Sequence, residues 1–124
     1  MCKGIGLDLC EISRMEHLRM MTRFTERYFT EEEQAYISSK GKNAAQTMAG
    51  LFAAKEAFGK ALGTGIVFDL KEVEIIHDNA GQPAYRLHGK IREQTKGERF
   101  SLSISHDGGV AGAVCLREDA ECEE

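Results

Sequence analysis

Residues 51–66 read LFAAKEAFGKALGTGI, and this stretch predicts a helix that ends at glycine. Alanine is the strongest helix former, and the alanines begin upstream at Ala44. The large apolar residues recur at helical spacing and form one buried stripe: Met48, Leu51, Phe52, Phe58 and Leu62. Glycine tolerates the left-handed backbone that often closes a helix, and the sequence GTG begins at Gly63. We therefore expect one long helix from about Ala44 to Leu62.

Shorter segments on both sides of this helix show other patterns. Residues 4–10 read GIGLDLC, in which large apolar residues alternate with glycine or aspartate, and this period of two predicts a strand. Four further segments have strand patterns: 71–77, 84–88, 99–105 and 110–116. Shorter helices are predicted over three segments: 11–27, 30–38 and 89–96. We expect an α+β fold with a small antiparallel sheet packed against one long helix and shorter helices.

Length and composition are those of a single globular domain. The chain has 124 residues, of which 29% are charged. We expect one domain over 1–118 and an acidic, frayed tail over 119–124. The net charge of −4 argues against a general nucleic-acid binder. No apolar run approaches the roughly 20 residues that cross a membrane, and the start does not resemble a signal peptide, so we expect a cytoplasmic protein.

The charged residues of the long helix allow two interpretations. Glu56 and Lys60 lie four residues apart and share one helix face, as ordinary solvated ion pairs do. Lys55 projects about 100° away from Glu56, toward the apolar stripe. A lysine at that position either extends along the stripe to solvent or has an anionic partner. Asp8 lies in a strand of small and apolar residues, where a carboxylate also needs a partner unless it caps the following helix.

Asp8 and Glu56 together suggest a site for a hard cation. Mg²⁺ is usually held by one or two protein carboxylates, with water and phosphate oxygens in its other positions, and a nearby lysine would neutralise phosphate charge. Spacing alone does not bring the two carboxylates together, so the solvated ion pair stays open. Ser105 and His106 are adjacent in sequence, which is poor geometry for a serine nucleophile and its base, and a serine hydrolase is not favoured.

Arginines dominate the predicted first helix. Arg19, Arg23 and Arg27 are spaced by four residues and would form one stripe along it. The stripe is either a solvated face paired with Glu16 and Glu26 or a positive surface that attracts an acidic partner. The sequence does not choose between these two.

Three segments resemble one known family in order and position. They are GIGLDLCEISRM near the start, FAAKEAFGKALGTGI in the middle and SLSISHDGGVAGAVCL near the end. Together they resemble the bacterial holo-(acyl-carrier-protein) synthases, a family of 4′-phosphopantetheinyl transferases. The resemblance implies the fold of that family, a homotrimer with sites at subunit junctions, and a role in fatty acid biosynthesis. It also implies Mg²⁺-dependent transfer of phosphopantetheine from coenzyme A to a serine of apo acyl carrier protein, which releases adenosine 3′,5′-bisphosphate.

The resemblance also implies roles for single residues. Asp8 and Glu56 would hold the metal, with Lys60 beside the phosphates, and we take Glu56 as the base that accepts the serine proton. The expected coenzyme A contacts are Lys55, Lys60, Thr64, Gly65, Gly81, Pro83, Ser105 and His106. Arg14 would dock the carrier protein. That Arg19, Arg23 and Arg27 assist Arg14 is an inference from their spacing.

Two positions depart from the family pattern. Leu51 stands where an arginine that would contact coenzyme A is frequent, and Gln82 stands where a lysine is common. Both differences remove a cation near the nucleotide. They keep open a non-catalytic module that binds coenzyme A or a carrier protein. A third hypothesis, a metal-dependent phosphoesterase that uses Asp8, Glu56 and His106, explains the carboxylates but not the order of the motifs.

Overall fold

A computed structural model describes residues 1–120 and has the expected α+β fold. The elements are β1 (Cys2–Glu11), α1 (Ile12–Leu18), α2 (Thr22–Tyr28), α3 (Glu31–Ser38), α4 (Ala44–Leu62), β2 (Val73–His77), β3 (Pro83–Leu87), α5 (Gly89–Gln94), β4 (Glu98–Asp107) and β5 (Val110–Asp119). All strand pairs are antiparallel, but they form two sheets, one of order β1-β5-β4 and one of β2-β3. Within the described residues, no helix is long and apolar enough to cross a membrane.

Helix α4 forms the centre of the molecule, as its sequence predicts. Met48, Leu51 and Phe58 are buried, while Phe52 and Leu62 are partly buried against the same core. The helix ends at Gly63, whose φ of 86° is in the left-handed region. The predicted glycine stop is therefore confirmed.

Strand β1 lies against α4 through glycine. A Cβ atom at Gly4 or Gly6 would overlap the carbonyl oxygen of Ala61 or Ala57, so only glycine permits this approach. The glycine side of the strand, which includes Asp8, thus faces the helix. The apolar side faces outward, and its three large residues are 60–67% exposed: Ile5, Leu7 and Leu9. This orientation is the reverse of an ordinary strand, whose apolar side is buried.

The single helix predicted over 11–27 is wrong. The chain leaves the helix after Leu18, and Met21 has an extended backbone before α2 begins at Thr22. The amides of Met20 and Met21 donate to carbonyls three residues earlier, a tight ending typical of a helix terminus. The break lets Phe24, on α2, reach Phe52 of α4, with ring centroids 6.0 Å apart.

The predicted boundary of the acidic tail is also wrong by two residues. Asp119 continues β5, and the Ala120 amide donates to the Gly97 carbonyl at 2.8 Å. Both residues therefore belong to the folded domain. The other predicted tail residues, 121–124, lie outside the described residues.

Candidate active site

The approach of β1 to α4 brings Asp8, Glu56 and Lys60 together. The Lys60 ammonium lies 3.2 Å from a carboxylate oxygen of Asp8 and 3.0 Å from the Leu7 carbonyl. Glu56 is one helical turn before Lys60 and faces the same strand. Asp8 lies on β1 and the other two side chains lie on α4, and Asp8 and Lys60 are 52 residues apart in sequence. The structure thus supplies the proximity that sequence spacing could not.

Burial and charge raise the pKa of Glu56. Partial burial is the larger cause, and the neighbouring Asp8 carboxylate adds to it, while Lys60 and Arg14 act in the opposite direction. Two carboxylates that face each other in a partly dry site favour a bound cation or a proton. Burial of Glu56 beside a second carboxylate therefore makes its ionised form less favourable than that of an ordinary glutamate.

This pair of carboxylates fits Mg²⁺ better than a metal that requires several protein ligands. Among residues 1–120, no group of three or more histidine, cysteine, aspartate or glutamate side chains could hold a metal. Mg²⁺ commonly uses one or two carboxylates and keeps water or phosphate oxygens in its remaining positions.

A pocket of about 370 Å³ opens beside the N-terminal half of α4. Three of the predicted coenzyme A contacts line it: Gly81, Pro83 and His106. Leu51 lines it as well, although its side chain is only 1% exposed. The Gln46 side-chain nitrogen lies 3.2 Å from Nε2 of His106. The positions of Leu51 and His106, which the resemblance links to the nucleotide, are therefore on one concavity.

The sequence did not single out the aromatic wall of this pocket. The rings of Tyr36 and His77 are stacked, with centroids 3.9 Å apart and an 11° angle between their planes. The Lys40 ammonium lies 4.5 Å from the Tyr36 centroid. Burial is the main cause that lowers the pKa of His77, and Lys40 contributes. These residues come from α3, the following turn and β2, so no local motif could have connected them.

Three other predicted contacts do not line the pocket. Thr64 and Gly65 follow the C-terminal end of α4, beyond Lys60, and the Gly65 amide donates to the Gly59 carbonyl. Ser105 is exposed on the face of β4 opposite Ile104, which lines the pocket. These predicted coenzyme A contacts are thus divided among the pocket, the C-terminal end of α4 and the exposed face of β4.

Lys55 corrects the sequence interpretation. The resemblance implies that it holds the nucleotide, but its side chain is 0% exposed. Its ammonium donates to Glu33 at 3.0 Å and to the carbonyls of Leu70 and Val73 at 2.8 Å each. Because a lysine has three N–H donors, none is left for a phosphate. The alternative of an anionic partner is right, but the partner is Glu33.

The predicted carrier-protein contacts are divided between two helices. Arg14 is exposed on α1, with its guanidinium 5.7 Å from the Phe52 ring centroid and close enough to Glu56 to affect its pKa. Arg19 follows α1 and lies 3.8 Å from Glu16, while Arg23 and Arg27 are exposed on α2. The continuous stripe is therefore wrong, because the helix that would carry it is broken.

Comparison with known proteins adds independent evidence. Residues 4–115 match the 4′-phosphopantetheinyl transferase superfamily. The holo-(acyl-carrier-protein) synthase of Caldicellulosiruptor saccharolyticus is 41% identical over 121 residues, and the match covers 95% of this chain and 98% of that protein.

Two solved structures have the same fold. The holo-(acyl-carrier-protein) synthase of Neisseria meningitidis gives a TM-score of 0.84 at 33% identity, with 96% of this chain and 100% of that chain covered. The enzyme from Helicobacter pylori, in complex with coenzyme A, gives a TM-score of 0.80 at 32% identity, with 92% and 99% covered. By sequence and by fold, this chain belongs to the 4′-phosphopantetheinyl transferase superfamily.

Proposed function

We propose that this chain is a holo-(acyl-carrier-protein) synthase, which transfers 4′-phosphopantetheine from coenzyme A to a serine of an apo acyl carrier protein. The observation that carries the proposal is the meeting of Asp8, Glu56 and Lys60 between β1 and α4. Family membership supports the reaction, and the relatives that match over nearly the whole chain carry this name. The pocket beside α4 supports a nucleotide-bearing substrate.

The transfer itself requires a nucleophile, a base and charge neutralisation. The carrier serine oxygen bonds to the β-phosphorus of coenzyme A, and the bond from that phosphorus to the bridging oxygen breaks. Adenosine 3′,5′-bisphosphate leaves with the electron pair. Phosphoryl transfer depends mainly on positioning and on neutralising the phosphoryl oxygens, a role that suits the exposed ammonium of Lys60.

Glu56 is the proposed general base. It would accept the proton of the serine hydroxyl as the new P–O bond forms. A carboxyl whose pKa is raised by burial and by a neighbouring carboxylate is a stronger base than an ordinary glutamate. Asp8 lies beside Lys60, with one carboxylate oxygen 3.2 Å from the ammonium. Glu56 is thus the proposed base, and both carboxylates contribute to the proposed metal site.

Mg²⁺ is the proposed cofactor, and Asp8 and Glu56 are the residues that would hold it. Its contribution would be to neutralise the pyrophosphate and align it with the attacking oxygen. The pair of carboxylates on β1 and α4 supports this assignment.

Pro83, Gly81 and His106 are proposed to hold the nucleotide end of coenzyme A, because they line the pocket beside α4. Lys40 is a candidate replacement for the cation that the family often has at the position of Leu51, since it is on the same pocket. Thr64, Gly65 and Ser105 remain predictions from the resemblance.

The carrier protein is proposed to dock near α1. Acyl carrier proteins are strongly acidic, and Arg14 is exposed beside the Glu56 side of the site. Arg23 and Arg27 on α2 could extend this positive surface, now as a second patch. Because its substrates are those of fatty acid biosynthesis, we place the enzyme in the cytoplasm.

The outer face of β1 is apolar and exposed, which supports an interface between copies of this chain, and the resemblance implies that the assembly is a homotrimer. Ile5, Leu7 and Leu9 form a row that a monomer would leave in water. Copies of this chain are the proposed occupants, and the resemblance would then place His106 of one copy near Asp8 and Glu56 of another. Light scattering of the wild type should give three times the chain mass. A monomeric mass at micromolar concentration would contradict this assembly.

The reaction is tested with the chain, coenzyme A, Mg²⁺ and an apo carrier protein, and the carrier is weighed intact by mass spectrometry. The expected product is the carrier with one phosphopantetheine on its serine. An unmodified carrier, under conditions in which a known synthase works, would refute the proposal and favour a non-catalytic binding module. Breakdown of coenzyme A without a carrier would favour the phosphoesterase hypothesis.

A further inference from the structure

Lys55 and Glu33 form an ion pair inside the protein core. Both side chains are 0% exposed, and the ammonium and the carboxylate oxygen are 3.0 Å apart. Burial lowers the pKa of Lys55 and raises that of Glu33, and the attraction between the two opposes both changes. Such a pair is costly to bury, and removal of only one partner leaves an uncompensated charge.

Every hydrogen-bonding group of the pair is used within the protein. One Glu33 oxygen accepts from the Thr30 amide at 2.9 Å and from Lys55, and the other accepts from the Ile75 amide at 2.8 Å. Lys55 also donates to the carbonyls of Leu70 and Val73. The pair therefore joins α3, α4 and the start of β2 at one point.

This junction connects the elements that form two walls of the pocket, although neither Lys55 nor Glu33 lines it. Helix α4 forms one wall through Gln46 and Leu51. The hairpin β2–β3 supplies part of the other through His77, Gly81 and Pro83. Contacts of Lys55 and Glu33 with residues 70–75 fasten the base of this hairpin to α4.

We propose that the Glu33–Lys55 pair is a positioning unit that sets the hairpin wall of the coenzyme A pocket relative to α4, and that Lys55 does not contact substrate. The inference rests on the proposed function only for the identity of the ligand. Loss of either partner shifts the hairpin, widens the pocket and weakens binding of the whole ligand. Lys60 and Glu56 lie on another face of α4, so the chemical step is affected less than binding.

Glu33→Gln separates this role from a phosphate contact. If Lys55 bound a phosphate, removal of the competing Glu33 charge would leave coenzyme A binding unchanged or tighter. If the pair positions the pocket, Glu33→Gln and Lys55→Met should each raise the Kd for coenzyme A by about tenfold, with kcat within roughly threefold of the wild type. Calorimetry gives the Kd without any need for transfer.

A second ligand tests the same point. 3′-Dephospho-coenzyme A lacks the 3′-phosphate, and the ratio of its Kd to that of coenzyme A should stay within about twofold of the wild-type ratio in both variants. Lys55→Arg should resemble Lys55→Met, because the larger planar head does not fit the three buried acceptors. The exposed pair Glu93–Lys96, 3.2 Å apart, supplies matched controls in Glu93→Gln and Lys96→Met, which should bind as the wild type does.

Hydrogen exchange provides a readout that needs no ligand. In Lys55→Met and in the apolar double variant Glu33→Leu/Lys55→Met, amides of 73–77 should exchange faster relative to those of β4 and β5. The double variant provides a folded protein even if Lys55→Met alone does not fold, since apolar pairs often replace buried ion pairs without loss of stability. Unchanged hairpin exchange, tighter coenzyme A binding in Glu33→Gln, or a selective loss of the 3′-phosphate preference would overturn the proposal. A wild type that binds coenzyme A but transfers nothing would refute the transferase alone.

Discussion

Gly6→Ala tests whether the glycine contact between β1 and α4 builds the site. A Cβ atom at this position would overlap the Ala57 carbonyl oxygen and would lie 2.8 Å from the Ala61 nitrogen. Both atoms belong to the helix backbone, which cannot rotate out of the way as a side chain can. The strand must therefore move away from the helix, and Asp8, two residues further along, must move with it.

The expected loss of unfolding free energy depends on which kind of atom the new Cβ contacts. Excess volume in a packed interior typically costs about 1–3 kcal/mol, and an overlap with rigid backbone belongs at or above the upper end. For a domain of this size, 3 kcal/mol corresponds to a melting temperature lower by about 12 °C. Transfer activity at a permissive temperature should fall at least about tenfold, because displacement of Asp8 by 1 Å is enough to disturb the site.

Gly112→Ala is the matched control on the neighbouring strand. There the nearest atom to a new Cβ is the Leu9 Cδ2, at 2.9 Å, which is the end of a flexible side chain and not helix backbone. We expect a change of less than about 1 kcal/mol and nearly normal transfer. Thermal unfolding followed by circular dichroism, together with the intact-mass assay, measures both variants. Equal melting temperatures for the two variants would refute the argument that backbone contact at Gly6 decides the geometry.

Four further outcomes are expected at the site and its surroundings. Asp8→Asn and Glu56→Gln should each abolish Mg²⁺-dependent transfer in the mass assay while the circular dichroism spectrum is retained. The folded-state pKa of Glu56 is raised, so ionisation of Glu56 destabilises the fold above that pKa. Glu56→Gln should therefore have a higher melting temperature than the wild type in metal-free buffer at neutral pH. The difference should vanish as the pH falls and Glu56 becomes protonated. Arg14→Glu should raise the KM for the carrier protein about tenfold and weaken its salt dependence, and a fall in coenzyme A affinity instead would assign Arg14 to the other substrate. Leu51→Arg should lower the KM for coenzyme A severalfold at a cost of about 1–3 kcal/mol in unfolding free energy, and an unchanged KM would show that this pocket needs no further cation.

The sequence predicted secondary structure well where an element depends only on residues close to it in the chain. The helix from Ala44 to Leu62 and its glycine end were predicted to the residue. The helix predicted over 30–38 begins with a capping box at Thr30, in which the Glu33 amide donates to the Thr30 hydroxyl at 3.1 Å. Both features depend only on neighbouring residues, which a sequence shows directly.

Predictions that depended on distant contacts were less secure. The sequence predicted a single helix over 11–27, but the chain breaks after Leu18, and Phe24 on the second helix packs on Phe52. Alternation in 4–10 identified the strand but not which side faces α4. That choice depends on the helix carbonyls opposite Gly4 and Gly6, which no pattern within the strand reveals.

The motif KEAFGK shows how one helix serves both the core and the site. Successive residues project about 100° apart, so Lys55 and Glu56 cannot share an environment. Lys55 enters the core and meets Glu33, whereas Glu56 and Lys60 meet Asp8 at the edge of β1. A lysine that neutralises phosphate must keep free N–H donors, and only Lys60, 52% exposed at its side chain, meets that condition of the two. The two lysines of the motif therefore have different roles. Substitutions at Lys55 should change the shape of the pocket and so the binding of coenzyme A, whereas substitutions at Lys60 should change the rate of the chemical step.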